Sequence, residues 1–386
     1  MLLFKSLISG RAVLALFFGL FCLAFYSPLS SKAVNNIFYV GLALPMLVWV
    51  TVRPKAFWEK MYPLSWLFAL LLLMVTLDAG GVADLKKALY LSMFFFCLLY
   101  LSSDYWSLRG PLLIFSAGSV GILIFASFDW LLLGVESGRW ARYEYFWGEA
   151  INPVYFSLLI GFALLYLWVF HVAEHLEKRS PLFFLTGLFF VSLLQVINAS
   201  VFQSRSTLLG YGLFFIFFLV FKRMLWLGLG VIMALFALGV LVGIDDLLLQ
   251  RGLSYRLDIW QAALQRLYTD CSLWWGCGRD QGLLLGRFYH PHSGYVAMLY
   301  RNGLIGAVLL AIFAVLYLYN ARREGLPWLL LSLFGWGSLL TTTNGVFTTP
   351  QPLWVYVWLP TFMAIIAGQR RVVQQYLLGR SQSARS

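Results

Sequence analysis

Apolar residues run through this chain in long blocks, broken at short intervals by a few polar ones. A helix needs about 20 mostly apolar residues to cross a hydrocarbon layer. Twelve stretches approach that length, over 12–28, 36–52, 62–78, 88–103, 111–134, 153–170, 181–198, 207–221, 225–244, 303–319, 327–341 and 353–368. Their even number returns both chain ends to one side. One polar interruption is far longer than the others, running from Asp245 to near Gly306. The chain therefore divides into nine spans over 1–244, a long loop over 245–302, three spans over 303–368 and a basic tail over 369–386.

Within the long loop the pattern changes period. Leu257, Trp260, Leu264 and Leu267 recur at helical spacing behind Ser254, a residue type suited to an N-cap, and predict a helix over 254–270. Arg256 and Trp260, four apart, share a face of it. The WWGCGRD run then ends the helix, with Gly276 and Gly278 supplying turns. SGYVAMLYRNGLIG resumes a helix that enters the membrane, and the pattern predicts that His292 opens it.

Composition agrees with the pattern. The 386 residues are 61% hydrophobic, 18% aromatic and 11% charged, against about 25% charged in a soluble domain, and the mean hydropathy is +0.81. The fold class is all-α, a polytopic integral membrane protein with about 12 transmembrane helices. The net charge of +12 fits basic cytoplasmic loops, so the expected surroundings are membrane lipids and not nucleic acid. The first apolar span is followed by many more and lacks a small-residue cleavage site, so it reads as a retained helix. Four cysteines make no disulfide framework and no zinc motif.

Charge also orients the chain. With a cytoplasmic N-terminus, 16 of the 28 lysines and arginines fall on the inner side and the long loop lies outside. On that outer side, the basic residues between 130 and 301 are Arg139, Arg142, Arg205, Arg251, Arg256, Arg266, Arg279, Arg287 and Arg301, with no lysine. The planar guanidinium matches phosphate oxygens bidentately and desolvates more readily than an ammonium, so this set suits a phosphate-bearing ligand at a membrane surface. The spans themselves are nearly free of charge, which speaks against a transport path through their middle.

Two histidines, His290 and His292, flank Pro291 where the loop meets the returning helix. An imidazole there is suited to accept a proton from an attacking hydroxyl. The outer carboxylates form no D-x-D cluster, so neither a metal nor another cofactor is called for. His171, Glu174 and His175 match a zinc-binding H-x-x-E-H pattern, but no third ligand follows in their loop, and they read as a solvated helix end.

His292-Ser293, nine residues to Gly303 and two more to Gly306 resemble the signature of the bacterial O-antigen ligase family. QSRST around Arg205 and YRLDIW around Arg256 resemble that family's arginine-bearing segments. The resemblance implies a GT-C-like glycosyltransferase at the periplasmic face of the inner membrane. It would move a glycan from undecaprenyl pyrophosphate to a hydroxyl of the lipid A–core oligosaccharide, with inversion and without a metal. His292 would be the general base and Arg205 and Arg256 the pyrophosphate clamps. His290, Arg279, Arg287 and Trp260 are candidate supporting residues. The alternatives are an O-antigen polymerase, with a lipid-linked glycan as acceptor, and a polysaccharide flippase. The TTTNGVFTTPQP segment lacks the acidic residue that some relatives carry in the last outer loop. In an oxidising compartment, Cys271 and Cys277 are expected to pair and pin the Trp274-Trp275 turn.

Overall fold

The computed structural model describes residues 10–78, 82–103, 105–242, 255–278, 282–322, 325–343 and 345–369. Each of the twelve apolar stretches is helical: α1 (Gly10–Ala24), α2 (Ser31–Val52), α3 (Pro54–Asp78), α4 (Val82–Leu101), α5 (Tyr105–Ser137), α6 (Pro153–Arg179), α7 (Pro181–Val201), α8 (Arg205–Lys222), α9 (Leu225–Val242), α11 (Gly294–Ala321), α12 (Leu326–Ser338) and α13 (Trp354–Gln369). The long loop supplies α10 (Arg256–Thr269). Seven of these helices are long and apolar enough to cross a membrane, while α1, α9, α12 and α13 are apolar but shorter. The fold is that of an all-α polytopic membrane protein.

Helices that are apolar all round must face either lipid or other protein, and both solutions occur here. In α6, twelve residues of the first fifteen are buried. On α13 the side chains of Trp354, Tyr356 and Trp358 are fully enclosed. Trp354 meets the Phe94 ring at 5.0 Å and Phe38 at 5.1 Å, so α13 is wedged against α4 and α2. The peripheral helices instead leave large apolar side chains outward, among them Val40, Leu44 and Leu47 on α2 and Ile124 and Phe128 on α5. Bare apolar surface on this scale fits contact with lipid.

The connection between α5 and α6 departs from helix and carries a short hairpin. Tyr145–Phe146 (β1) pairs with Glu149–Ala150 (β2) as an antiparallel hairpin. Its two-residue turn has Trp147 at φ 52° and Gly148 at φ 78°, the left-handed pair that matches strand twist. The approach to this hairpin is stitched to the end of α7: the Tyr143 amide donates to the Val201 carbonyl at 3.1 Å, and Arg142 Nε donates to Phe202 O at 2.9 Å. That stitch holds the corner from which Arg205 projects.

α11 begins at Gly294, within the SGYVAMLYRNGLIG stretch that reads as a resumed helix, and it is broken at Gly303 (φ 60°, ψ −159°). The turn after α10 is clasped into this break. Cys277 N–H donates to Tyr300 O (2.7 Å) and Gly278 N–H to Arg301 O (3.0 Å), while Leu304 N–H donates to Leu273 O (2.9 Å) and Ile305 N–H to Trp274 O (3.2 Å). A helix break in a low-dielectric setting is tolerated only if its freed backbone groups find partners, and here the turn provides them. The approach is close enough to demand glycine on both sides. A Cβ on Gly303 would lie 2.4 Å from the Trp274 carbonyl, and one on Gly276 would lie 2.4 Å from that of Arg301.

Candidate functional site

Arg205 is the first residue of α8, and its neighbours are fixed from three directions. Gln203 takes a left-handed conformation (φ 44°), which lets the chain turn between α7 and α8. Ser204 Oγ lies 2.9 Å from Thr207 Oγ1, which in turn lies 2.7 Å from Ser157 Oγ on α6. Ser206 Oγ meets Thr341 Oγ1 at 2.9 Å, beyond the end of α12. Ser204, Ser206 and Thr207 are all buried. The hydroxyl residues of QSRST therefore hold the corner at which Arg205 begins α8.

Arg256 opens α10, after Tyr255 in a left-handed conformation (φ 55°). The apolar face of α10 buries Ile259, Ala263 and Leu267 against Leu284 and Tyr300, with the cysteines of the following turn alongside. One turn from Arg256, Trp260 Nε1 donates to the Pro291 carbonyl at 2.9 Å. That bond joins the arginine-bearing helix directly to the segment carrying both histidines. Arg256 and Arg205 come together although 51 positions separate them: burial first, and then the Arg205 charge, lower the Arg256 pKa.

His290 and His292 have ring centroids 4.0 Å apart. His292 precedes α11 and does not open it. It adopts a left-handed conformation (φ 55°), and Ser293 caps the helix, accepting from the Val296 amide at 3.4 Å. The Gly294 amide donates to Leu339 O at 2.8 Å, tying this start to the end of α12. A non-glycine residue held at positive φ is uncommon and stores strain that such anchoring must hold in place. Burial, and next the Arg256 charge, keep the His292 pKa below the usual imidazole value. His290 is pushed down to about 4 by burial, by His292 and by Arg301. Both rings are thus held neutral at neutral pH, the state in which an imidazole accepts a proton.

Two arginines and a neutral imidazole pair therefore converge at one end of the bundle, from the starts of α8, α10 and α11. No family model matches this chain. It is 25% identical over 368 residues to the O-antigen ligase of Pseudomonas aeruginosa, an alignment covering 84% of this chain and 83% of that protein. The chain is similar to this O-antigen ligase along most of the length of both proteins. The three residues that carry its resemblance to these ligases, Arg205, Arg256 and His292, are those that the fold gathers.

The supporting residues divide. Trp260 serves as the tie just described. Arg287 lies over the rings of Tyr255 and Phe288, at 4.7 and 4.9 Å, so it stacks at the base of α10. Arg279 and Arg251 lie outside the described residues. Arg266 is 3.8 Å from Asp270, and Arg142 is 3.8 Å from Glu144, so these two members of the arginine-rich outer set have carboxylates beside them. Cys271 and Cys277 form a disulfide, with Cα atoms 5.0 Å apart. The HVAEH segment places His171 Nδ1 3.1 Å from Arg109 Nη2, a cation where a metal site would need an open ligand.

Some neighbours of the ligase-like cluster escape sequence reasoning. Arg301 lies 3.9 Å from Asp78 at the end of α3, and Asn302 Nδ2 donates to the same carboxylate at 3.2 Å. Lys87, at the start of α4, lines a cavity of about 740 Å³ with Arg301, Thr348, Thr349 and Gln351. The one signal for Lys87 in sequence is its place at the outer mouth of the fourth span, on the same side as the long loop.

Proposed function

We propose that this protein is an O-antigen ligase of the bacterial inner membrane, with both termini cytoplasmic and its site at the periplasmic face. It takes a glycan from undecaprenyl pyrophosphate and attaches it to a hydroxyl of the lipid A–core oligosaccharide. The observation that carries this reading is the convergence of Arg205, Arg256 and the neutral His292 from separate segments.

In this mechanism His292 removes the proton from the acceptor hydroxyl as its oxygen bonds to the anomeric carbon. The carbon–oxygen bond to the pyrophosphate breaks with its electron pair, and undecaprenyl pyrophosphate departs from the opposite face, inverting the carbon. Arg205 and Arg256 bind the pyrophosphate and stabilise the charge that grows on it. Donors already in place, in a site shielded from water, are usually the largest contribution to such a step.

Purified protein supplied with the lipid-linked donor and with lipid A–core decides the acceptor. Glycosylated lipid A–core is the expected product; lengthening of the lipid-linked glycan instead would make the protein a polymerase.

A further inference from the structure

We infer that Trp260 is a positioning residue for the reaction: by holding the Pro291 carbonyl it keeps His292 in the left-handed conformation from which the base acts. This rests on the glycosyl-transfer reading above.

The Pro291 carbonyl belongs to the peptide unit immediately before His292. Proline fixes its own φ near about −65°, so the bond from Trp260 Nε1 (2.9 Å) leaves that unit little freedom to rotate. Beyond the histidine, the unit joining Ser293 to Gly294 is held at both of its polar atoms. Ser293 O accepts from the Ala297 amide at 2.9 Å, and the Gly294 amide donates to Leu339 O at 2.8 Å. His292 is thus strung between two anchored peptide units, at φ 55°. The strain of a left-handed residue other than glycine and the net contribution of one hydrogen bond are of the same order. Loss of the Trp260 anchor is therefore enough to let His292 relax towards negative φ. That relaxation swings its ring away from His290 and from the Arg256 charge.

The anchor itself sits on a rigid element. Trp260 follows Arg256 by one turn of α10, and the apolar face of that helix is buried against Leu284 and Tyr300. One helix therefore carries an arginine for the leaving group and the indole that sets the base, and it fixes the separation between them. A misplacement of about 1 Å in a reacting group can cost on the order of 10²-fold in rate. Such a loss falls on the chemical step and leaves the binding of donor and acceptor as it was.

The test uses the purified full chain, with acceptor and donor varied separately. Trp260→Phe keeps an aromatic ring and loses the N–H. The benzothiophene analogue of tryptophan at position 260 keeps the shape as well, with sulfur in place of the N–H. Each should lower kcat about ten- to hundredfold, with donor and acceptor KM little changed. A second readout needs no turnover. Nuclear magnetic resonance of ring-labelled histidine, four per chain, should show His292 titrating below 6.5 in the wild type and nearer 6.5 in the analogue, as the ring leaves its burial and the Arg256 charge. Among the described residues, the groups facing His292 are His290 at 4.0 Å, the Phe288 ring at 6.1 Å and Arg256; His290→Asn in both backgrounds removes the neighbouring titration. An unchanged kcat would overturn the inference, as would a lowered kcat with the His292 midpoint unmoved. A rise in donor KM alone would assign Trp260 to the Arg256 side, and a rise in both KM values with a lowered melting temperature would make it structural only. A midpoint that moves in the analogue, beside a wild type that ligates nothing, would keep the positioning role and sink the ligase reading. Ligation that the analogue leaves unaltered would do the reverse.

Discussion

The imidazoles of His290 and His292 are in contact, with centroids 4.0 Å apart, yet each answers to a different cation. His292 is influenced by Arg256 and His290 by Arg301. The pair thus bridges two charged regions with two neutral rings. His292→Ala should abolish transfer at unchanged protein level, by the roughly 10²–10⁴-fold typical of a lost general base. His290→Ala should cost less, because it removes packing against the base but not the base. Both variants assayed at matched concentration settle the assignment; a dead His290 variant beside a near-normal His292 variant would reverse it.

The pH profile should follow from the depressed pKa of His292. The base works when neutral, so kcat/KM should be flat above the ordinary imidazole value of 6.5 and fall only further into acid. Arg256→Gln removes one of the two causes, so the acid limb of its residual activity should move up towards 6.5. Stability carries the same sign. Between about 4 and 6.5 the unfolded chain binds a proton that folded His290 refuses, so stability should fall as pH drops through that window and level off below it. His290→Asn should flatten this part of the denaturation-versus-pH curve.

Arg205→Lys and Arg256→Lys keep the charge and lose the bidentate fork, and each should lose most activity. With arginines stabilising the leaving group, transfer should persist in EDTA. Complete loss in EDTA, restored by Mg²⁺, would move that role to the outer carboxylates.

The clasp between the disulfide turn and the break in α11 gives a stability prediction. Gly303→Ala places a methyl group against the Trp274 backbone at a positive φ and should sharply reduce folded yield. Replacing Cys271 and Cys277 together by serine should be milder. Closing so short a loop is worth on the order of 2 kcal/mol, and the four backbone bonds of the clasp remain. A thermal-unfolding comparison in detergent would rank the two; equal losses would mean that the disulfide, not the glycine break, holds the turn.

The helices were legible because membrane spans are written as unbroken apolar length, and each such stretch is helical. The break in α11 was not. SGYVAMLYRNGLIG reads as one helix running into the membrane, whereas the chain bends at Gly303, where the turn after α10 packs against it. Likewise His292 looked like the first residue of a helix because Pro291 precedes it, whereas Ser293 takes the cap and turns the histidine into the left-handed region. Arg205, Arg256 and His292 could be picked out because their local motifs resemble a family's. Lys87 and Asp78 have no local motif: Asp78 gains its place from the folding of α3 against α11, where it meets Asn302 224 positions away, and Lys87 from a cavity wall shared with Arg301, and proximity of that kind leaves no periodicity to read.

In the proposed orientation, with the loop on the periplasmic side, the bond between Cys271 and Cys277 also keeps a record of the journey of its loop. Oxidants that join thiols are abundant on the periplasmic side of the membrane and scarce in the cytosol. A chain inserted upside down would present the same two thiols to a reducing compartment, with the same sequence and the same apolar spans. Whether those sulfurs are joined in cells is therefore an internal signature of insertion, readable from the untagged protein by alkylation before and after reduction.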